Sequence, residues 1–116
     1  MKYLCLVYLE TEKLRTVPDT ECIASVQGML ECGALVAAEA LQPVDTATTV
    51  RIRDGRVTMT DGPFAETKEQ LLGFYILDCE NLDEVLAIAR ELGEANPGGA
   101  YEIRPVGYFV PGGAAR

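Results

Sequence analysis

Ten residues, DGPFAETKEQ at 61–70, bring together carboxylates, a lysine and an aromatic ring between two runs that read as strands. Asp61 and Glu66 are the types that serve as a general base. Lys68 can hold an anion or give up a proton. Such roles require burial or charged neighbours that shift a pKa toward the working pH. Phe64 and Glu69 from the same segment, with Tyr8 and Tyr75 from the flanking apolar runs, supply candidate ligand-binding walls. A plainer reading uses the same residues. Asp61 accepts backbone hydrogen bonds as Asp does in turns, Gly62 permits positive φ, and Pro63 stiffens the turn. Phe64 then buries its ring to anchor the loop. Glu66, Lys68 and Glu69 reduce to surface ion pairs worth about 0–1 kcal/mol. Thr67 and Gln70 have capping-box spacing, which predicts a single helical turn.

The rest of the sequence narrows the chemistry. There is no histidine, so the usual general base near neutral pH is missing and acid–base work falls to carboxylate, lysine, tyrosine or cysteine. Cys5, Cys22, Cys32 and Cys79 show no CxxC spacing, which argues against a Cys/His zinc site and for small buried hydrophobes. No metal or cofactor is expected. A formal net charge of −8, from 18 acids and 10 bases without a basic run, opposes direct nucleic-acid binding. No apolar run approaches the roughly 18 residues that span a bilayer. MKYLCLVYLE alternates like a strand and lacks a cleavage site, so a cytoplasmic protein with reduced thiols is expected.

These side chains need positioning, and 116 residues suffice for one domain with its own core. Residues 2–9 form a strand, with Tyr3, Cys5, Val7 and Leu9 on one face and Leu4, Leu6 and Tyr8 on the other. A helix over 18–32 follows from Pro18 and the spacing of Cys22, Ile23, Val26, Met29 and Leu30, with Gly33 as its stop. Residues 34–41 are the next strand. Residues 46–60 read as a hairpin turning at Asp54-Gly55, a type I′ signal. Residues 71–79 are a strand with Gly73, Tyr75, Leu77 and Cys79 on one face and Leu72, Phe74 and Ile76 on the other. Asn81 caps a helix with Glu84 in the capping-box place; Leu82, Val85, Leu86, Ala89 and Leu92 are its buried stripe, and Gly93 ends it. Residues 100–106 are the last strand. Glu39, Glu102 and Arg104 fall within strands, and edge exposure accounts for them better than a buried pair.

The order predicts an α+β fold, a ferredoxin-like α/β sandwich with an inserted β-hairpin, as a single domain over 1–108 with a flexible tail at 109–116. Two helices cover one sheet face. The strands at 2–9 and 71–79 are apolar on both, so a second copy packed through the open sheet face is expected.

TDGPFAETKEQLLGFYILDCENLDEVLAIA, together with MKYLCLVY, LQPVDTATTVRIRDGRV and EIRPV, resembles the DGPFAETKE (DGPF-domain) family of YCII-related proteins over nearly the whole chain. The resemblance implies a dimeric α/β barrel of ferredoxin-like subunits, in small bacterial proteins that are mostly uncharacterised. Some members are encoded near, or fused to, extracytoplasmic-function sigma factors. A His–Asp pair has been proposed as catalytic in YCII-like relatives. No residue here matches that histidine; Asp61 belongs to the hallmark. Two functions are therefore expected. One is a small-molecule-binding homodimer with lyase- or hydrolase-like acid–base activity. The other is a non-catalytic regulatory module that contacts a sigma factor.

Overall fold

The computed structural model describes residues 1–10, 33–95 and 98–112. The expected helix over 18–32 lies outside the described residues, as do Cys22 and Cys32. Six strands and one α-helix are formed by the rest: β1 (Lys2–Glu10), β2 (Leu35–Ala40), β3 (Thr48–Arg53), β4 (Arg56–Asp61), β5 (Glu69–Asp78), α1 (Leu82–Ala95) and β6 (Ala100–Pro105). A short 3-10 turn, Val44–Thr46, precedes β3.

Four strands make one antiparallel sheet in the order β2-β5-β1-β6, and β3 and β4 pair separately. This α+β arrangement is consistent with a ferredoxin-like fold carrying an inserted hairpin. The hairpin turns where expected. Asp54 and Gly55 have φ of 50° and 76°, the two positive values that a type I′ turn demands.

Alternation in β1 decides where the core sits. Tyr3, Cys5, Val7 and Leu9 are buried, while Leu4, Leu6 and Tyr8 are only half-buried. Tyr3 and Cys5 join Leu77, Cys79, Val85 and Leu92 in the core, with Tyr75, Ile88, Tyr101 and Ile103 packed around them. The helix meets this core through Val85, Ile88 and Leu92, and Ala89 is half-buried. Leu82 and Leu86 were expected in that stripe but are exposed, because they lie on its flank at 3.6 residues per turn.

Both ends of α1 differ in detail from expectation. Asn81 Oδ1 accepts the Glu84 N–H at 3.0 Å, as an N-cap does, but the Glu84 carboxylate reaches back to the Glu80 N–H at 3.0 Å, one residue before the cap. The helix passes through Gly93 to Ala95. A Cβ at position 93 would make only an ordinary contact, 3.5 Å from the Tyr101 ring, so this glycine neither ends the helix nor is required by packing on β6. Glu39, Glu102 and Arg104 are exposed on β2 and β6, the two edges of the sheet, as expected.

Candidate functional site

A break in the β1–β5 ladder sets the geometry beside the 61–70 segment. Val7 opposes Gly73, but the next residue, Tyr8, opposes Leu71, so Leu72 is an extra residue on β5. A bulge of this kind reverses the alternation beyond it. Gln70 consequently turns inward beside Leu9, and both are buried. Leu71 turns out beside Tyr8 on the open face. Sequence alternation alone, which placed Leu72 with Phe74 and Ile76, gave no sign of this switch.

Gln70 then shapes the loop. Its Nε2 donates to the carbonyls of Ala65 and Thr67, both at 3.1 Å. The Thr67 hydroxyl donates to the Glu69 carbonyl. The helical turn expected at 67–70 is absent, because these side chains satisfy the backbone in an extended conformation and β5 already begins at Glu69. At the other end Gly62 has φ of 120°, which an L side chain would strain. Its N–H donates to the Ala47 carbonyl at 2.7 Å, and the Thr49 hydroxyl donates to its carbonyl at 2.8 Å. The segment is thereby strapped to the base of the hairpin.

Between the strap and the sheet lies an open groove of about 780 Å³, within the size range of small-molecule sites. Leu41, Pro43, Val44, Val50, Pro63, Phe64 and Leu71 give it apolar walls; Thr48, Thr49, Gln70, Tyr8 and Glu69 supply polar groups. Of the expected site residues, Tyr8, Phe64 and Glu69 come together here. Phe64 is not the buried anchor it was expected to be. The residue is 68% exposed, with the Arg51 guanidinium 4.9 Å from its ring centroid. Arg51 also donates to the Phe64 carbonyl at 3.2 Å, so a cation, not a core, fixes this aromatic.

The other four stand apart from the groove lining. Asp61 ends β4 opposite Thr48 and is exposed, and Glu66 is exposed. Lys68 reaches the Glu10 carboxylate at 3.9 Å, with 84% of its side chain in solvent. Tyr75 opposes Cys5 on the helix-facing side and packs against the core, on the opposite face from Tyr8.

Tyr8 is the perturbed group of the site. Burial, and the Glu102 carboxylate that accepts its hydroxyl at 3.3 Å, raise the phenol above its ordinary pKa; Arg104 opposes the shift. Tyr8 therefore stays a proton donor at neutral pH. Cys5 is perturbed elsewhere: burial pushes its thiol up to about 11, away from reactivity. Among the described residues no cluster of His, Cys, Asp and Glu could hold a metal, and no helix is long and apolar enough to cross a membrane.

Comparison with known proteins identifies the family. The uncharacterized protein R00369 of Rhizobium meliloti (strain 1021) is 51% identical over 84 residues, 72% of this chain and 68% of that protein. The family description "YCII-related domain" matches residues 1–110. The chain belongs to the YCII-related domain family.

Proposed function

We propose that this chain is a homodimeric small-molecule-binding protein whose ligand has a largely apolar body and a polar end. One observation carries the reading: the bulge at Leu72 and the strap at Gly62 hold open a groove of about 780 Å³, apolar along its walls, with Tyr8 and Glu69 as its two ionisable lining groups. A predominantly apolar pocket with a few polar groups is the usual form of such sites. Acid–base chemistry in this groove would fall to Tyr8 as donor and Glu69 as acceptor. Asp61, Glu66 and Lys68 have the exposure of solvated charges, so binding is the better supported activity. Dimerisation is supported by the half-covered side chains of Leu4, Leu6, Phe74 and Ile76 on one sheet face.

Native mass spectrometry of gently purified protein tests both parts. The expected spectrum is a dimer with retained small-molecule mass, and Phe64→Ala and Glu69→Gln shed that mass while Glu66→Gln keeps it. A monomer without adduct, or an adduct indifferent to Phe64 and Glu69, overturns the reading. The sigma-factor alternative predicts instead a copurifying protein and no retained small molecule.

A further inference from the structure

The groove beside the 61–70 segment has a one-sided hydrogen-bonding character. A side chain that donates to a carbonyl or a carboxylate has spent its proton there, because those acceptors carry no hydrogen to give back. Tyr8 donates to Glu102 Oε1 at 3.3 Å, Thr46 to the Pro43 carbonyl at 2.7 Å and Thr49 to the Gly62 carbonyl at 2.8 Å. Thr67 donates to the Glu69 carbonyl. Gln70 is the most constrained. Both hydrogens of its Nε2 go to the carbonyls of Ala65 and Thr67, which fixes the orientation of the amide and leaves Oε1 for any other partner. All five side chains line the groove. The backbone N–H groups of Leu41, Thr46 and Ala47 in its wall are spent on carbonyls as well. Thr48 and Gln42 keep side-chain donors, and both residues are exposed, where water serves them. What the other polar groups still offer is oxygen lone pairs.

Charge points the same way. Among the described residues, Glu69 is the one lining group that is ionised at neutral pH, and no cation pairs with its carboxylate. Strand alternation places it on the open face with Leu71, and therefore on the side of Tyr8. The cations nearby are engaged outside the lining. Lys68 reaches Glu10, and Arg51 donates to the Phe64 carbonyl and lies over its ring. Arg104 lies beyond Glu102 along β6, opposite Leu4 where Glu102 is opposite Leu6. We propose that the ligand of this groove is a cationic amphiphile, an organic ammonium whose N–H groups donate to the Glu69 carboxylate and neighbouring neutral oxygens while its apolar body lies along the walls. An ammonium is a donor without lone pairs, the complement of a site rich in acceptors. An anion would meet Glu69 and few free donors, a mismatch that excludes it. The net charge of −8 draws cations toward the surface. The inference rests on the small-molecule groove proposed above, and adds to it the chemical class of the ligand.

Isothermal titration calorimetry at neutral pH with phenylbutylamine, phenylbutanol and phenylbutanoate, three probes with one body, separates the class from the groove. The amine is expected to bind about tenfold or more tighter than the alcohol, and the carboxylate more weakly than either. Glu69→Gln should remove the preference for the amine and leave the affinity of the alcohol unchanged. Glu66→Gln removes an equal charge outside the lining and should keep the preference. Phe64→Ala should weaken amine and alcohol alike, and circular dichroism of each variant checks the fold. An alcohol or carboxylate that binds as tightly as the amine overturns the cationic class and leaves the groove standing as a site. A preference that Glu66→Gln reduces as much as Glu69→Gln belongs to the acidic surface at large, and also overturns the class. Absence of binding by all three probes, or binding indifferent to Phe64→Ala, overturns the groove together with its ligand.

Discussion

Two residues on β1, Cys5 and Tyr8, differ by their face. Cys5 points into the core with no exposure, and desolvation lifts its thiol from 9.0 to about 11. The folded state holds this proton more tightly than the unfolded chain does. Its contribution is complete below pH 9 and is lost as pH rises from 9 toward 11, at about 1.4 kcal/mol per pH unit. Urea denaturation at pH 8 and pH 10.5 should therefore show a stability loss of roughly 2 kcal/mol that Cys5→Ala largely removes. Equal slopes in both proteins would mean that the thiol does not report its burial this way. Phe64 makes the converse case. A ring buried in the core costs about 3–5 kcal/mol on truncation. This one is exposed and held by Arg51, so Phe64→Ala should cost about 0.5–1 kcal/mol by thermal melting. Burial of an aromatic was a fair expectation from residue type, and it failed because the ring faces an open groove. Tyr8, Phe64 and Glu69 were legible as candidates because aromatics and carboxylates beside a turn are conspicuous. Gln70 was not, since its role depends on a bulge that only strand pairing reveals.

The elements were legible to the extent that their signals are local. Alternation marked β1, Asp54-Gly55 marked the hairpin turn, and Asn81 marked the start of α1. Asn81→Ala should accordingly cost about 1 kcal/mol of stability, read from the urea midpoint, by stripping the Glu84 N–H of its acceptor. What the sequence concealed were contacts between elements. Gly93 looks like a helix stop, but the helix runs on to Ala95 and the position faces the Tyr101 ring of β6. Gly73 looks like an ordinary strand glycine, yet a Cβ there would collide with the Glu39 carbonyl oxygen and come within 3.2 Å of Ala40 Cα. Both obstacles are backbone, which cannot rotate away as a side chain can. Gly73→Ala is expected to destabilise by about 1–3 kcal/mol, toward the upper end, because relief requires β2 to move off β5. Hydrogen exchange should show the β2 amides losing protection first. A variant with wild-type stability would mean that β2 lies farther from β5 at this point.

At the scale of the molecule, the sheet presents one face to the core and leaves the other, with Leu4, Leu6, Phe74 and Ile76, half-covered within a single chain. Phe109 beyond β6 lies 4.8 Å beneath the Lys2 ammonium, but Tyr108 and Val110 beside it remain exposed, so this stretch does not close the face. Leu6 sits mid-face, opposite Phe74 on one side and Glu102 on the other. Leu6→Lys is therefore a selective probe. In the single chain the new ammonium has a carboxylate neighbour across the strand, and its stem can lie along the apolar surface, so the fold should lose about 1 kcal/mol or less. In a face-to-face dimer the same change brings two ammonium groups into an apolar contact that desolvates them, which is prohibitive without partners. The wild-type melting temperature should rise with protein concentration, as it does when unfolding and dissociation are coupled, while that of Leu6→Lys should be independent of concentration. Sedimentation of the variant as a folded monomer would complete the case. A variant that remains dimeric with concentration-dependent melting would place the interface elsewhere on the molecule.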